Sequence, residues 1–173
     1  VDGLSTVPVA VLERATVLAK KFMQKVNIKS GIELHIKQHI PEHAGLGSGT
    51  QTAIAIGTAI SQLYGLGLST KEISVLTGRG GRSGIGIAAF DMGGVIIDGG
   101  RIINAAQSNI PPLIARYDFP ADWRVLLIFD NSCKGVHGKA ELEAFKKLPI
   151  FPENLSAHLC RHVLMQAMPA FCL

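Results

Sequence analysis

The start of the chain carries an amphipathic pattern. Apolar side chains recur at intervals of three or four residues, at Val11, Ala15, Leu18, Phe22 and Val26. This spacing places the side chains on one face of a helix, because a helix turns once every 3.6 residues. We therefore expect a helix over residues 8–26.

A second helix is expected over residues 50–64, where Gly57 would allow a neighbouring element to approach closely. A shorter helix is expected over residues 69–76. Ser69 is a suitable N-cap for it, and Glu72 stands three residues later, as in a capping box. The same periodicity predicts two later helices, over residues 139–148 and 154–168.

Three segments have the pattern of strands. Residues 32–37 alternate apolar and polar side chains, which predicts a strand over residues 32–40 with one solvated face. Residues 94–101 are typical of a strand followed by a tight turn, and residues 124–129 form a continuous apolar run, typical of a strand buried on both faces. Helices and strands in this mixture predict an α+β fold.

Composition limits the class of protein. The 173 residues predict one domain or two small lobes, and a formal net charge of +4 with 6% aromatic residues does not resemble a nucleic-acid-binding surface, which clusters basic and aromatic side chains. No apolar run reaches the ~18 to 20 residues needed to cross a bilayer. The cysteines are odd in number and lack a CxxC spacing, which favours a reduced, cytoplasmic location; they are Cys133, Cys160 and Cys172.

The segment 41–51 is the strongest functional signal. It joins a predicted strand to a predicted helix, and its alternating glycines allow several backbone N–H groups to point toward one place. A phosphate or pyrophosphate is stabilised at such a helix start by unpaired amides and by the helix dipole. The predicted phosphate-binding residues are Gly45, Leu46, Gly47, Ser48, Gly49, Thr50 and Gln51. The alternative is a glycine-rich turn in which Thr50 is an ordinary N-cap.

Two common nucleotide motifs do not fit this segment. The third glycine comes too early for the GxGxxG pattern of dinucleotide-binding folds, and the chain contains no GxxxxGK[ST] string. Any anion site here therefore belongs to another family.

The motif Pro-x3-Gly-Leu-x-Ser at residues 41–48 resembles the phosphate loop of the GHMP superfamily of small-molecule kinases. The longer strings at residues 42–51, 78–86 and 98–100 look like those of one branch, the β-ribofuranosylaminobenzene 5'-phosphate synthases of archaeal methanopterin biosynthesis. The similarity covers nearly the whole chain from Val7.

The resemblance implies a GHMP-kinase-like α+β fold. In it a mainly antiparallel sheet is backed by helices, and the glycine-rich loop lies between a strand and a helix. Residues 1–173 are expected to form one such domain from the middle of a longer family chain, or a first lobe at 1–150 with the start of a second lobe at 151–173. A shortened sheet would expose an apolar edge, so we expect a homodimer or a partner chain that completes the fold.

The resemblance also implies a reaction. Enzymes of this branch transfer phosphoribose from 5-phosphoribosyl pyrophosphate to 4-hydroxybenzoate (4-aminobenzoate in the older naming), with loss of pyrophosphate and carbon dioxide. Such a transfer needs a site for the leaving pyrophosphate, cations or Mg²⁺ to stabilise its charge, and a dry slot for the ring. The expected substrates are thus a phosphorylated sugar and a benzoate.

Several charged residues are candidates for these roles. Arg79 and Arg82 would neutralise the phosphates, unless they are ordinary surface arginines. Asp91 and Glu42 would hold Mg²⁺ through their carboxylates, although isolated acids are usually solvated or cap helices. Lys134 and His137 would meet the benzoate carboxylate or the leaving oxygen; these two assignments come from their position after the apolar run alone.

Two other functions stay open. One is ATP-dependent phosphorylation of a small alcohol, although many GHMP kinases carry Ser-Gly-x-Asp with a catalytic aspartate where this chain has Gly86. Without that acid, a kinase mechanism that uses a general base is weakened. The other is a non-catalytic fragment that only binds phosphate or assembles with a partner.

Overall fold

A computed structural model describes residues 7–42, 44–101, 110–129 and 138–171 of the chain. Its helices are α1 (Val9–Lys25), α2 (Ser48–Leu63), α3 (Thr70–Thr77), α4 (Ile85–Met92), α5 (Gly138–Lys146), α6 (Glu153–His162) and α7 (Met168–Ala170), with a π-helical turn (Val163–Ala167) between α6 and α7. Its strands are β1 (Val95–Asp98) and β2 (Leu113–Tyr117). The α+β class predicted from the sequence is confirmed. No helix in these ranges is both long and apolar enough to span a membrane.

Helices α1, α2 and α3 pack around one hydrophobic core. Phe22 of α1, Ile60 of α2 and Ile73 of α3 are at most 2% exposed and belong to this core. The predicted close approach at Gly57 is confirmed, because Ile73 and Phe22 occupy the space that a side chain there would need. The periodicity of the first two helices is therefore explained by their packing against each other and against α3.

Helix α3 begins with the capping box that its sequence predicts. Ser69 Oγ accepts the backbone N–H of Glu72 at 3.3 Å, and the Glu72 carboxylate accepts the backbone N–H of Ser69 at 2.8 Å. This is a complete capping box. The helix ends at Gly78, whose φ of +69° is the left-handed conformation that glycine adopts without strain.

The sheet in the described residues has two antiparallel strands. Val95 pairs with Tyr117 and Ile97 pairs with Ala115. The strand predicted at 94–101 is confirmed in shortened form as β1. Strand β2 was missed because the prolines before it indicate only a loop, and α4 was missed because its segment is rich in glycine.

Two predicted strands are not formed in the described part of the chain. Residues 32–40 and 124–129 are not assigned to any strand and pair with neither β1 nor β2. A strand exists only where another strand satisfies its backbone N–H and C=O groups, so an apolar pattern alone does not create one. Residues 125–129 are instead exposed, with Leu126 at 83% and Ile128 at 85%.

The end of the described chain packs on the segment after β2. Phe171 lies 5.6 Å from Trp123 and 6.4 Å from Phe119, measured between ring centroids. Aromatic rings at such distances attract each other beyond the burial of their area. The helix predicted over 154–168 is present as α6, the π-helical turn and the first residue of α7.

Candidate phosphate-binding site

The glycine loop forms the start of helix α2. Gly45 and Gly47 have φ values of +74° and +68°, and Gly47 is the residue at which the helix begins. Its carbonyl oxygen accepts the amides of Thr50 and Gln51 at 3.0 and 3.1 Å. Within the described residues, the amides of Ser48 and Gly49 have no acceptor. The arrangement can therefore bind an anion through unpaired N–H groups at a helix start.

Two arginine side chains meet at the first turn of this helix. A Cβ atom placed on Gly49 would lie 3.0 Å from Nη2 of Arg14, and 3.4 and 3.6 Å from Nη1 and Nη2 of Arg79. The absence of a side chain at Gly49 thus leaves room for both guanidinium groups. Of the two, only Arg79 is among the residues that the sequence pointed to.

Arg14 was missed because it lies on a helix far from the loop in sequence. The available signal is its position on α1, three residues after the buried Val11 and one before the buried Ala15. A charged side chain at the border of a buried helix face is a candidate for an ion pair.

Arg79 is held by the end of helix α3 and has no ion-pair partner among the described residues. Arg79 directly follows Gly78, at which α3 ends, and its backbone N–H donates to the carbonyl of Ser74 at 2.7 Å. Its Nε atom is buried, with no hydrogen-bond partner among the described residues. Burial lowers the pKa of Arg79, and the positive charges of Arg14 and Arg82 lower it further. An anion bound beside Arg79 would oppose both effects, because a nearby opposite charge stabilises the charged guanidinium.

The loop that follows Arg79 is fixed to strand β1. Arg82 forms an ion pair with Glu141 of α5 at 2.8 Å. Asp98 at the end of β1 accepts the Ser83 hydroxyl at 2.6 Å and the Gly84 amide at 2.8 Å. Burial acts to raise the pKa of Asp98, but the hydrogen bonds from Ser83, Gly84 and neighbouring amides outweigh it, and the net shift is downward. Asp98 therefore orders the segment that carries the arginines.

The two predicted magnesium ligands have different partners. The Glu42 carboxylate accepts Nη1 of Arg14 at 2.7 Å, and that of Asp91 accepts the Thr70 hydroxyl at 2.7 Å. No three His, Cys, Asp or Glu side chains of the described residues converge as metal ligands. Magnesium binding stays a prediction. Lys134 and His137 lie outside the described residues.

Helix α4 contacts the first turn of α2 at Gly86, the position that by the resemblance corresponds to the aspartate of many GHMP kinases. The Gln51 side chain donates from Nε2 to the carbonyl of Gly86 at 2.7 Å. A Cβ atom on Gly86 would lie 3.0 Å from Cγ2 of Thr50, which is tighter than ordinary contact. At this position the chain thus has a close contact between two helices and no acidic side chain.

A cavity adjoins the loop. It has a volume of about 440 Å³ and lies between α1, α2, Phe90 of α4 and the segment 34–40. Gln51, in the first turn of α2 directly after the loop, lines this cavity together with apolar side chains such as Ile56 and Phe90. Volumes of this size are typical of small-molecule sites.

Comparison with known proteins places this site in a family domain. Residues 11–94 match the family described as "GHMP kinases N terminal domain". That range contains the loop, the arginines Arg14, Arg79 and Arg82, and helix α4. The resemblance to the GHMP superfamily and the α+β class expected from it are confirmed.

Individual relatives show which members of the superfamily the chain is similar to. The chain is 42% identical over 149 residues to a protein of Archaeoglobus fulgidus named "Beta-ribofuranosylphenol 5'-phosphate synthase", covering 81% of this chain and 47% of the relative. A protein of the same name from Methanocaldococcus jannaschii is 42% identical over 153 residues, covering 81% and 46%. A "Homoserine kinase" of Methanococcus maripaludis strain C5 is 31% identical over 117 residues, covering 68% and 38%. The chain thus spans about half the length of the synthases it matches.

Proposed function

Because residues 11–94 belong to the GHMP kinase N-terminal domain family, we propose that the protein is a pentosyltransferase of the β-ribofuranosylphenol 5'-phosphate synthase type. The carrying observation is the extent of similarity. Synthases match 81% of the chain at 42% identity, whereas the homoserine kinase matches 68% at 31%. Similarity to the synthases is thus both higher and longer.

The proposed reaction joins 5-phosphoribosyl pyrophosphate to 4-hydroxybenzoate or 4-aminobenzoate. The bond between ribose C1 and the pyrophosphate oxygen breaks, and pyrophosphate leaves with the electron pair. The ring carbon that carries the carboxylate forms a new bond to C1. The ring–carboxylate bond then breaks, carbon dioxide leaves, and its electron pair restores the aromatic ring.

The described residues offer hydrogen-bond donors and positive charge for the departing pyrophosphate. Departure of pyrophosphate concentrates negative charge, and preorganised donors that face this charge lower the barrier most effectively. In our proposal the amides of Ser48 and Gly49 and the guanidinium of Arg79 bind the pyrophosphate, while Arg82 adds positive charge nearby. The free hydrogen-bonding capacity of Arg79 supports this assignment.

The acceptor ring needs a largely apolar slot beside the anion. We propose that this slot is the cavity lined in part by Gln51, which lies in the first turn of α2 directly after the loop. As pyrophosphate leaves, positive charge develops at ribose C1. Exclusion of water from the cavity would prevent water from attacking C1 in place of the ring carbon. Lys134 and His137 remain proposed partners of the benzoate carboxylate, and Glu42 and Asp91 remain proposed contacts of a phosphate-bound Mg²⁺.

A small-molecule kinase is the second candidate, because the homoserine kinase similarity covers more than half of the chain. The contact between Gly86 and Thr50 weighs against it, because it leaves little room for the kinase aspartate. A non-catalytic phosphate-binding fragment is the third candidate.

One pair of assays separates the three. The protein is incubated with Mg²⁺, 5-phosphoribosyl pyrophosphate and 4-hydroxybenzoate labelled in its carboxyl group, and in parallel with ATP and homoserine or other alcohols. Release of labelled carbon dioxide supports the transferase. Release of ADP instead would support the kinase, and pyrophosphate binding without either product would support the third candidate.

A further inference from the structure

We propose that Arg14 is a further anion-binding residue of this site, and that Glu42 competes with the anion for its guanidinium group. The inference rests on the proposed function, because the anion in question is the pyrophosphate portion of the sugar substrate. The proposal gives a role to a side chain of helix α1, which lies outside the glycine loop motif.

The first support is geometric. Nη2 of Arg14 and both terminal nitrogens of Arg79 lie within 3.6 Å of the same point above Gly49. The unpaired amides of Ser48 and Gly49 belong to the same helical turn. A ligand with two phosphate groups has enough oxygen atoms to use both guanidinium groups and these amides together.

The second support is the local charge balance. The charge of Arg79 has no carboxylate partner among the described residues, and that of Arg14 has one, Glu42. Two guanidinium groups held this close repel each other unless an anion lies between them. The site therefore keeps an excess positive charge that a polyanion would neutralise.

The third support is the accessibility of the pair. The side chains of Arg14 and Glu42 are 37% and 26% exposed, so an anion can approach from solvent. Only Nη1 of Arg14 is bound to Glu42, and Nη2 faces Gly49. Binding of a doubly charged group at Nη2 would weaken the hold of Glu42 by competition for the same cation.

The test is the affinity for inorganic pyrophosphate, measured by calorimetry on the 173-residue chain in EDTA. Arg14→Gln is expected to weaken binding about tenfold, the typical effect of losing one charged hydrogen bond. Glu42→Gln is expected to strengthen binding, because it removes a competing carboxylate. In the protein that already carries Glu42→Gln, Arg14→Gln is expected to lower the affinity for pyrophosphate by a larger factor than in the protein with native Glu42.

Matched variants control for net charge and folding. Arg161→Gln removes an exposed arginine of α6, and Asp118→Asn removes a carboxylate paired with Arg116 outside the site. Both are expected to bind pyrophosphate as the unchanged protein does. Thermal unfolding of each variant verifies that a loss of affinity is not a loss of fold.

The outcomes distinguish this inference from the proposed function. If Arg14→Gln binds normally while Arg79→Gln and Gly47→Val bind weakly, the role of Arg14 is wrong and the site stands. If Glu42→Gln weakens pyrophosphate binding in EDTA or leaves it unchanged, the competition is wrong. If Arg14→Gln weakens pyrophosphate binding but no carbon dioxide is released from labelled substrate, the inference stands and the proposed reaction is wrong. If the unchanged protein binds no pyrophosphate, both are wrong.

Discussion

Gly86 of helix α4 packs directly against Thr50 of helix α2: a Cβ atom at Gly86 would lie 3.0 Å from the Thr50 methyl group. The side chain of Thr50 is β-branched, so it has little freedom to turn away. The Gln51 side chain strengthens the same junction by donating to the Gly86 carbonyl. The position that carries an acid in many GHMP kinases is therefore a close helix contact here.

This contact predicts the result of restoring the kinase residue. Gly86→Asp is expected to lower the free energy of unfolding by about 1–3 kcal/mol through overpacking, without producing ADP from ATP and homoserine. Urea unfolding and a coupled ADP assay measure the two effects. Adding Thr50→Ala, which removes the opposing methyl group, is expected to recover part of the stability. Gain of ATP turnover in a stable Gly86→Asp protein would contradict the argument.

The core makes a similar prediction at Gly57. Gly57→Ala is expected to destabilise the protein by about 1–3 kcal/mol, because its methyl group would overlap Ile73 and press on Phe22. Gly31→Ala is the control, because a Cβ atom there meets nothing within 4 Å and its φ is not left-handed. Equal unfolding midpoints for the two variants would refute the packing of α2 against α1 and α3.

The phosphate loop is tested by a pair of glycines with the same backbone conformation. Gly47 and Gly65 have φ values of +68° and +62°, and a Cβ atom at either meets nothing within 4 Å. Valine at either position is expected to cost about 1–2 kcal/mol of strain. Only Gly47→Val is expected to lose pyrophosphate binding, because Gly65 lies at the opposite end of α2. Equal affinities in calorimetry would refute the role of the loop.

Acid is expected to destabilise the protein partly through Asp98. The pKa of its carboxyl group is lower in the folded chain than the ordinary value of 3.8. Its contribution to stability is therefore fully present above that value and is lost as the pH falls toward the folded pKa. Asp98→Asn is expected to be less stable at neutral pH and to lose less stability on acidification. Parallel pH profiles of unfolding for the two proteins would contradict this assignment.

Local patterns predicted the helices better than the strands. Helices α1, α2 and α3 were predicted because a helix satisfies its backbone hydrogen bonds within itself and needs only one apolar face. The strand predicted at 32–40 has the right alternation but pairs with neither described strand. Helix α4 is the converse case, because Gly84, Gly86, Gly93 and Gly94, in and beside it, obscured its short apolar stretch.

The sequence by itself determined the glycine loop and the helix that follows it, because left-handed glycines and a helix start are properties of consecutive residues. Only the tertiary structure decided which charges surround that loop. The Arg14–Glu42 pair joins positions 28 residues apart, and Arg79 arrives from the end of another helix. Such contacts depend on how α1 and α3 pack on α2, and this packing is set by the shared core around Phe22 and Ile73.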